Sequence, residues 1–214
     1  MIRIKLRQIV MSLFPLSHSQ SGKKFPFNLD QINVLGSEYE DEYLRILKRA
    51  RTKVDQRPIA NRYPWQSRLA ISNLFKYAEE NKLPICMLTG TGGEHHFVHE
   101  VLESLKLALE KGCECRILIW QPDNSKTSDE LMKLGSQFEN LEIRFSGTSE
   151  LGDQLAHFQV SGVDAYRLEA AHPEIENPSE VNKNEPSFPA RIHFSDERGA
   201  NRLLNFFNSL WSIA

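Results

Sequence analysis

Along this chain of 214 residues the period of apolar and polar positions changes several times, and each change predicts an element. Leu69, Ala70, Leu74, Phe75 and Ala78 recur at helical spacing behind Pro64, which suits a first helical position, so a helix is predicted over 64–81. The run from Pro84 to Thr89 is short, apolar and followed by glycines, the pattern of a buried strand. Val98, Val101, Leu102, Leu105 and Leu109 then predict a helix over 95–111. Cys115 to Trp120 gives the next strand, 127–138 the next helix and Leu141 to Phe145 a third strand. Strands alternating with helices imply an α/β fold with a mixed, mostly parallel sheet flanked by helices. In residues 155–169 polar side chains interrupt two strand-forming runs, and Ser161-Gly162 supplies a turn, so the segment reads as a β-hairpin or two successive short strands. A long loop over 170–189, a strand from Ala190 to Phe194 and a helix from about 197 bearing Leu203, Leu204, Phe207 and Trp211 complete the pattern.

Upstream, residues 17–37 are rich in Ser, Gly, Asn, Pro and Lys and read as a linker or surface loop. A capping-box pattern at Ser37-Glu38-Tyr39-Glu40 opens a helix over 38–56. Three regions are expected: an extension over 1–37, a helical segment over 38–82 and the α/β domain over 83–214. The first residues are basic and apolar, but charges alternate through them and no Ala-x-Ala site follows, so they are not read as a signal peptide. Their apolar run is also far below the roughly 18–20 residues of a membrane span. The three cysteines, an odd number in a chain long enough to bury its own core, are expected to be reduced thiols in the cytoplasm.

Charge alters this picture mainly by its distribution. With 26 Lys and Arg against 28 Asp and Glu the chain is near neutral, which excludes a histone-like or tail-driven nucleic-acid binder. Between 45 and 68, however, eight basic residues face one acidic residue, Asp55. Any one of these cations is most simply a solvated side chain, yet Arg45, Lys48, Arg49 and Arg62 together make a phosphate-contacting surface. Two other constellations carry less. Gly90-Thr-Gly-Gly93 falls between a strand and a helix, where backbone N–H groups can hold a phosphate, but it lacks both the dinucleotide spacing and the P-loop Lys and reads more simply as a plain turn. His95 and His99 are four apart and share a helical face, as zinc ligands often do, but the cluster with His96 lacks the Glu of a metalloprotease motif and reads more simply as solvated. No metal and no cofactor are expected.

The chemistry is expected in 155–169. His157 and Gln159 lie two apart and share one strand face, with Asp164 and Glu169 on or beside the next strand, close enough to meet a histidine across the ladder. His172 and His193 are further candidates for neighbours of His157. The spacing His157-x-Gln159-x4-Asp164 resembles the His-x-Lys-x4-Asp motif of the phospholipase D superfamily, with Gln in the Lys position. The resemblance covers about residues 84–214 and implies a phospholipase D-like fold with an N-terminal helical extension. By the same resemblance His157 looks like the nucleophile toward a phosphodiester, Gln159 takes the phosphate-clamp position and Asp164 looks like the orienting carboxylate. Ala171 and His172 stand where many members carry a phosphate-contacting Gly-Ser pair. One motif per chain implies a homodimer.

Losing the lysine matters because phosphoryl transfer spreads negative charge that a cation neutralises and an amide only hydrogen-bonds, typically about 10²–10³ in rate. Arg167 is the candidate replacement cation. Three functions follow. The first is a domain that recognises a phosphodiester, in nucleic acid, with weakened hydrolysis. The second is an active metal-independent phosphodiesterase or nuclease in which His157 attacks and His172, or a second His157, is general acid. The third is a non-enzymatic module docking a protein partner.

Overall fold

The computed structural model describes residues 36–93, 96–120, 127–146, 156–170 and 189–214. The expected N-terminal extension, His95, His172 and nearly all of the 170–189 loop lie outside these residues. The chain divides into two compact units, Met1–Tyr39 and Glu40–Ala214, and every described strand belongs to the second. In chain order the elements are α1 (Gly36–Arg51), β1 (Ile59–Asn61), α2 (Pro64–Asn81), β2 (Ile85–Thr89), α3 (His99–Glu110), β3 (Cys115–Ile119), α4 (Asp129–Gln137), β4 (Leu141–Phe145), β5 (His157–Ser161), β6 (Ala165–Glu169), β7 (Ala190–His193) and α5 (Glu197–Trp211).

The seven strands form one mixed sheet in the order β1-β7-β6-β5-β2-β3-β4. Parallel pairing is confined to β2, β3 and β4, where α3 and α4 provide the crossovers. The expectation of a mostly parallel sheet is corrected at the other strands: β5 joins β2 antiparallel, and β6, β7 and β1 continue antiparallel from it. A hairpin turn joins β5 to β6, and a tight turn can make only antiparallel neighbours. β1 is a further element that the pattern did not signal, because three residues, Ile59-Ala-Asn61, are too short to display alternation. The helix predicted over 38–56 stops at Arg51, where Thr52 Oγ1 donates back to the Lys48 carbonyl and Lys53 turns left-handed at φ 60°.

One face of the sheet is covered by α2, α3 and α4. Ile71, Phe75, Val101, Leu105 and Leu131 pack there on Met87 and Ile117 of β2 and β3. At the β7 end α1 adds Tyr43 and Leu47, which share a second cluster with Leu74, Tyr77 and Ile192. The opposite face is covered by α5, whose Phe206 and Phe207 meet Phe158. Asp196 caps this helix by accepting from the Gly199 N–H at 2.9 Å. No helix among the described residues is long and apolar enough to cross a membrane.

Candidate functional site

Strand alternation builds the site. Across the hairpin His157 pairs with Glu169, Gln159 with Arg167 and Ser161 with Ala165. These positions share one face, whereas Phe158, Val160, Tyr166 and Leu168 take the other, against α5. The polar row therefore points under α2, and a row of this kind has to find partners or cost stability.

Arg167 finds three. It is 3% exposed, its Nε donates to Asn61 Oδ1 at 2.9 Å, and its Nη2 donates to Ser67 Oγ and to Glu169 Oε2, each at 3.0 Å. Asn61 comes from β1 and Ser67 from the first turn of α2, and the Asn61 amide also donates to Ser67 Oγ at 3.1 Å. Glu169 is buried as well, so the ion pair is closed off from water. Gln159 differs. It is 1% exposed, and neither its Nε2 nor its Oε1 has a hydrogen-bond partner among the described residues. A cavity of about 10 Å³, room for about one water, lies among His96, His157, Gln159, Arg167, Glu169 and Thr89. The His96 ring stands edge-on to that of His157, with centroids 6.4 Å apart.

The structure thus brings together His157, Gln159, Arg167 and Glu169 of the expected set. Asp164 is separated from them, which corrects the expectation that it orients His157. It sits in the turn Gly162–Asp164, and at about 3.3 Å of rise per residue the four steps of β5 put roughly 13 Å between that turn and His157. There Asp164 accepts from Lys53 Nζ at 2.9 Å and from the Tyr77 hydroxyl at 3.0 Å. Burial, and then the bond to Asp164, raise the pKa of the Tyr77 hydroxyl. His193 is no neighbour of His157 either: it pairs with Tyr166 on the α5 face, stacked at 4.8 Å, and burial lowers its pKa.

The basic stretch is only partly an open field. Arg45 pairs with Glu42, Arg51 turns inward to Glu80, Lys53 holds Asp164 and Arg57 holds Asp55. Lys48 and Arg49 are exposed in the last turn of α1, and Arg62 is exposed just after β1. The glycine turn is buried: the Gly92 carbonyl accepts from the Ser128 N–H and the Thr91 carbonyl from Thr127 Oγ1, which ties the loop to the start of α4. A Cβ at Gly92, where φ is +65°, would lie 2.9 Å from Ile119 Cδ1. Among the described residues no group of three or more His, Cys, Asp or Glu is arranged to hold a metal ion.

Sequence reasoning missed Asn61 and Ser67. They sit 106 and 100 residues before Arg167, and neither spacing nor residue type marks them as its partners. His96 was visible only as one of a histidine cluster.

No protein-family model and no curated protein matches the chain. Among solved structures the chain is similar to Nuc from Salmonella typhimurium, a phospholipase D family member, at 12% identity and a TM-score of 0.54, covering 73% of this chain and 96% of that one. It is similar to TrmBL2, an archaeal chromatin protein with a novel mode of DNA binding, at 14% identity and a TM-score of 0.51. That match covers 86% of this chain but 62% of TrmBL2, so the chain spans less than two thirds of its length. It is also similar to polyphosphate kinase from Porphyromonas gingivalis, at 11% identity and a TM-score of 0.52, over 89% of this chain and 30% of that one. The fold is phospholipase D-like. Identities of this size carry the fold and nothing finer.

Proposed function

We propose that this phospholipase D-like domain recognises a phosphodiester, in nucleic acid, and binds it without efficient hydrolysis, working as a homodimer. The observation that carries this reading is the state of the only cation beside Gln159 among the described residues. Arg167 is buried and neutralised by Glu169, so the position across from the clamp supplies no uncompensated positive charge. A transition state that gathers charge on phosphoryl oxygens would meet an amide and a guanidinium that has first to be parted from Glu169, which together stabilise it less than a lysine does. Recognition would rest on the exposed cations Lys48, Arg49 and Arg62, which can neutralise backbone phosphates without reading sequence. TrmBL2, a chromatin protein that binds DNA, supports a binding role on this fold.

The test is binding of labelled DNA and RNA over a range of salt. Affinity is expected to fall with salt, and replacing Lys48, Arg49 and Arg62 by Gln together is expected to reduce the log–log slope by about 2–3. No binding at low salt, or a slope unmoved by the triple variant, overturns the reading. Sedimentation at micromolar concentration checks the dimer, and a monomer alone counts against it.

A further inference from the structure

We infer that the Arg167–Glu169 pair is an internal lock on an oxyanion subsite, in which the Glu169 carboxylate occupies the guanidinium where a phosphate oxygen of the ligand binds. This deepens the proposed function and rests on it for the identity of the ligand. Three observations carry the inference.

The first is the unequal satisfaction of the two side chains that face each other across β5 and β6. Arg167 has its carboxylate, but the buried Gln159 amide opposite has no partner among the described residues. A buried polar group left in that state is expensive, and the positions where such groups persist are commonly functional. One oxyanion can accept from Gln159 Nε2 and from Arg167 at once, whereas Glu169 accepts from Arg167 and leaves the Gln159 amide unmatched.

The second observation is how Arg167 is held. Asn61 Oδ1 and Ser67 Oγ are neutral acceptors, and they bond Nε and Nη2 independently of Glu169. If the carboxylate withdraws, the guanidinium keeps its orientation and gains an uncompensated charge. Asn61 and Ser67 are therefore positioning residues for the cation, supplied by the segment upstream of the region that resembles the phospholipase D superfamily.

The third is space. With Glu169 in place the cavity has room for about one water, far less than a phosphate group needs. Ligand binding then has to displace Glu169, and it succeeds only to the extent that the ligand binds the open state better than the closed one.

Calorimetric titration of Glu169→Ala with inorganic phosphate and with dithymidine monophosphate tests the lock. The alanine removes both the competing charge and its volume, so both ligands are expected to bind at least about tenfold more tightly than to the wild type, with the gain abolished in Glu169→Ala/Arg167→Met. Should the alanine variant fail to fold, the wild type answers by NMR: the Arg167 side-chain Nε–H resonance, assigned with Arg167→Lys, is expected to shift as dithymidine monophosphate is added. If the wild type binds nucleic acid, yet the alanine variant gains nothing or the resonance stays fixed, the lock is refuted and the surface reading survives. If the alanine variant binds phosphate through Arg167 while neither protein binds nucleic acid, the subsite stands and the proposed function falls.

Discussion

Replacing Asp164 by alanine separates two roles for that carboxylate, because in this structure it anchors α2 and the turn that follows α1 to the hairpin turn and does not serve His157. The Tyr77 hydroxyl, on a buried side chain, donates to it at 3.0 Å, a hydrogen bond to a charged acceptor worth about 1.5–3 kcal/mol. Lys53 adds little: its side chain is 51% exposed, and an exposed pair contributes about 0.5 kcal/mol. The expected loss is thus about 2–3 kcal/mol, or roughly 5–10 °C in Tm for a domain of this size. Thermal and urea unfolding by circular dichroism measure it, and a cycle with Tyr77→Phe is expected to show coupling of about 1–2 kcal/mol. Nucleic-acid affinity of the folded variant is expected to match the wild type. A variant as stable as the wild type that loses ligand in parallel with His157→Ala would refute this assignment and restore Asp164 to the site.

Gln159→Met keeps the volume and removes an unmatched amide, so it is expected to raise stability by about 1 kcal/mol while abolishing binding of dithymidine monophosphate; a destabilised variant would show that the amide is bonded. Burial holds the pKa of His193 below its ordinary value, so the unfolded chain takes up a proton near pH 6.5 before the folded one does. Stability from this group is complete above that pH and is lost on acidification. The fall in Tm between pH 7 and pH 5 is expected to be smaller in His193→Gln, and an unchanged profile would contradict it. Asp196, whose pKa is lowered by the Gly199 N–H and the Tyr166 hydroxyl, loses its contribution at more acidic pH, below the ordinary carboxylate range. Cys86, Cys113 and Cys115 are buried, and burial raises the pKa of each thiol. None is expected to react with a thiol reagent in the native protein, and all three are expected to react in denaturant; labelling of native Cys113 or Cys115 would contradict this packing.

The elements of the α/β core were legible because helix and strand periods leave a mark wherever one face is buried: 64–81 was read from spacing and Pro64, and 141–145 from its short alternating run. The sheet order was not, since nothing local states that β5 inserts beside β2 or that β7 lies between β6 and β1. The hairpin held more information than its motif suggested. With a turn at Gly162–Asp164, where Gly162 has φ +70°, the register sets His157 against Glu169 and Gln159 against Arg167. The same register places Asp164 in the turn, so the motif spacing misled where strand geometry would not have. Asn61 and Ser67 could not be read, because contacts across a hundred residues depend on how β1 and α2 dock. The basic stretch was visible as composition, but that Arg45, Arg57, Arg51 and Lys53 are tied down depended on Glu42, Asp55, Glu80 and Asp164.

The central claim, that this domain holds a phosphodiester without efficiently cleaving it, is tested most directly by one incubation read twice. End-labelled DNA and RNA are mixed with excess protein in EDTA at low salt, and the bound and the cleaved fractions are measured on the same samples for wild type and His157→Ala. The structure leads us to expect nucleic acid that is bound and intact with both proteins. Cleavage by the wild type that survives EDTA and disappears in His157→Ala would contradict the claim and establish hydrolysis at His157 despite Gln159.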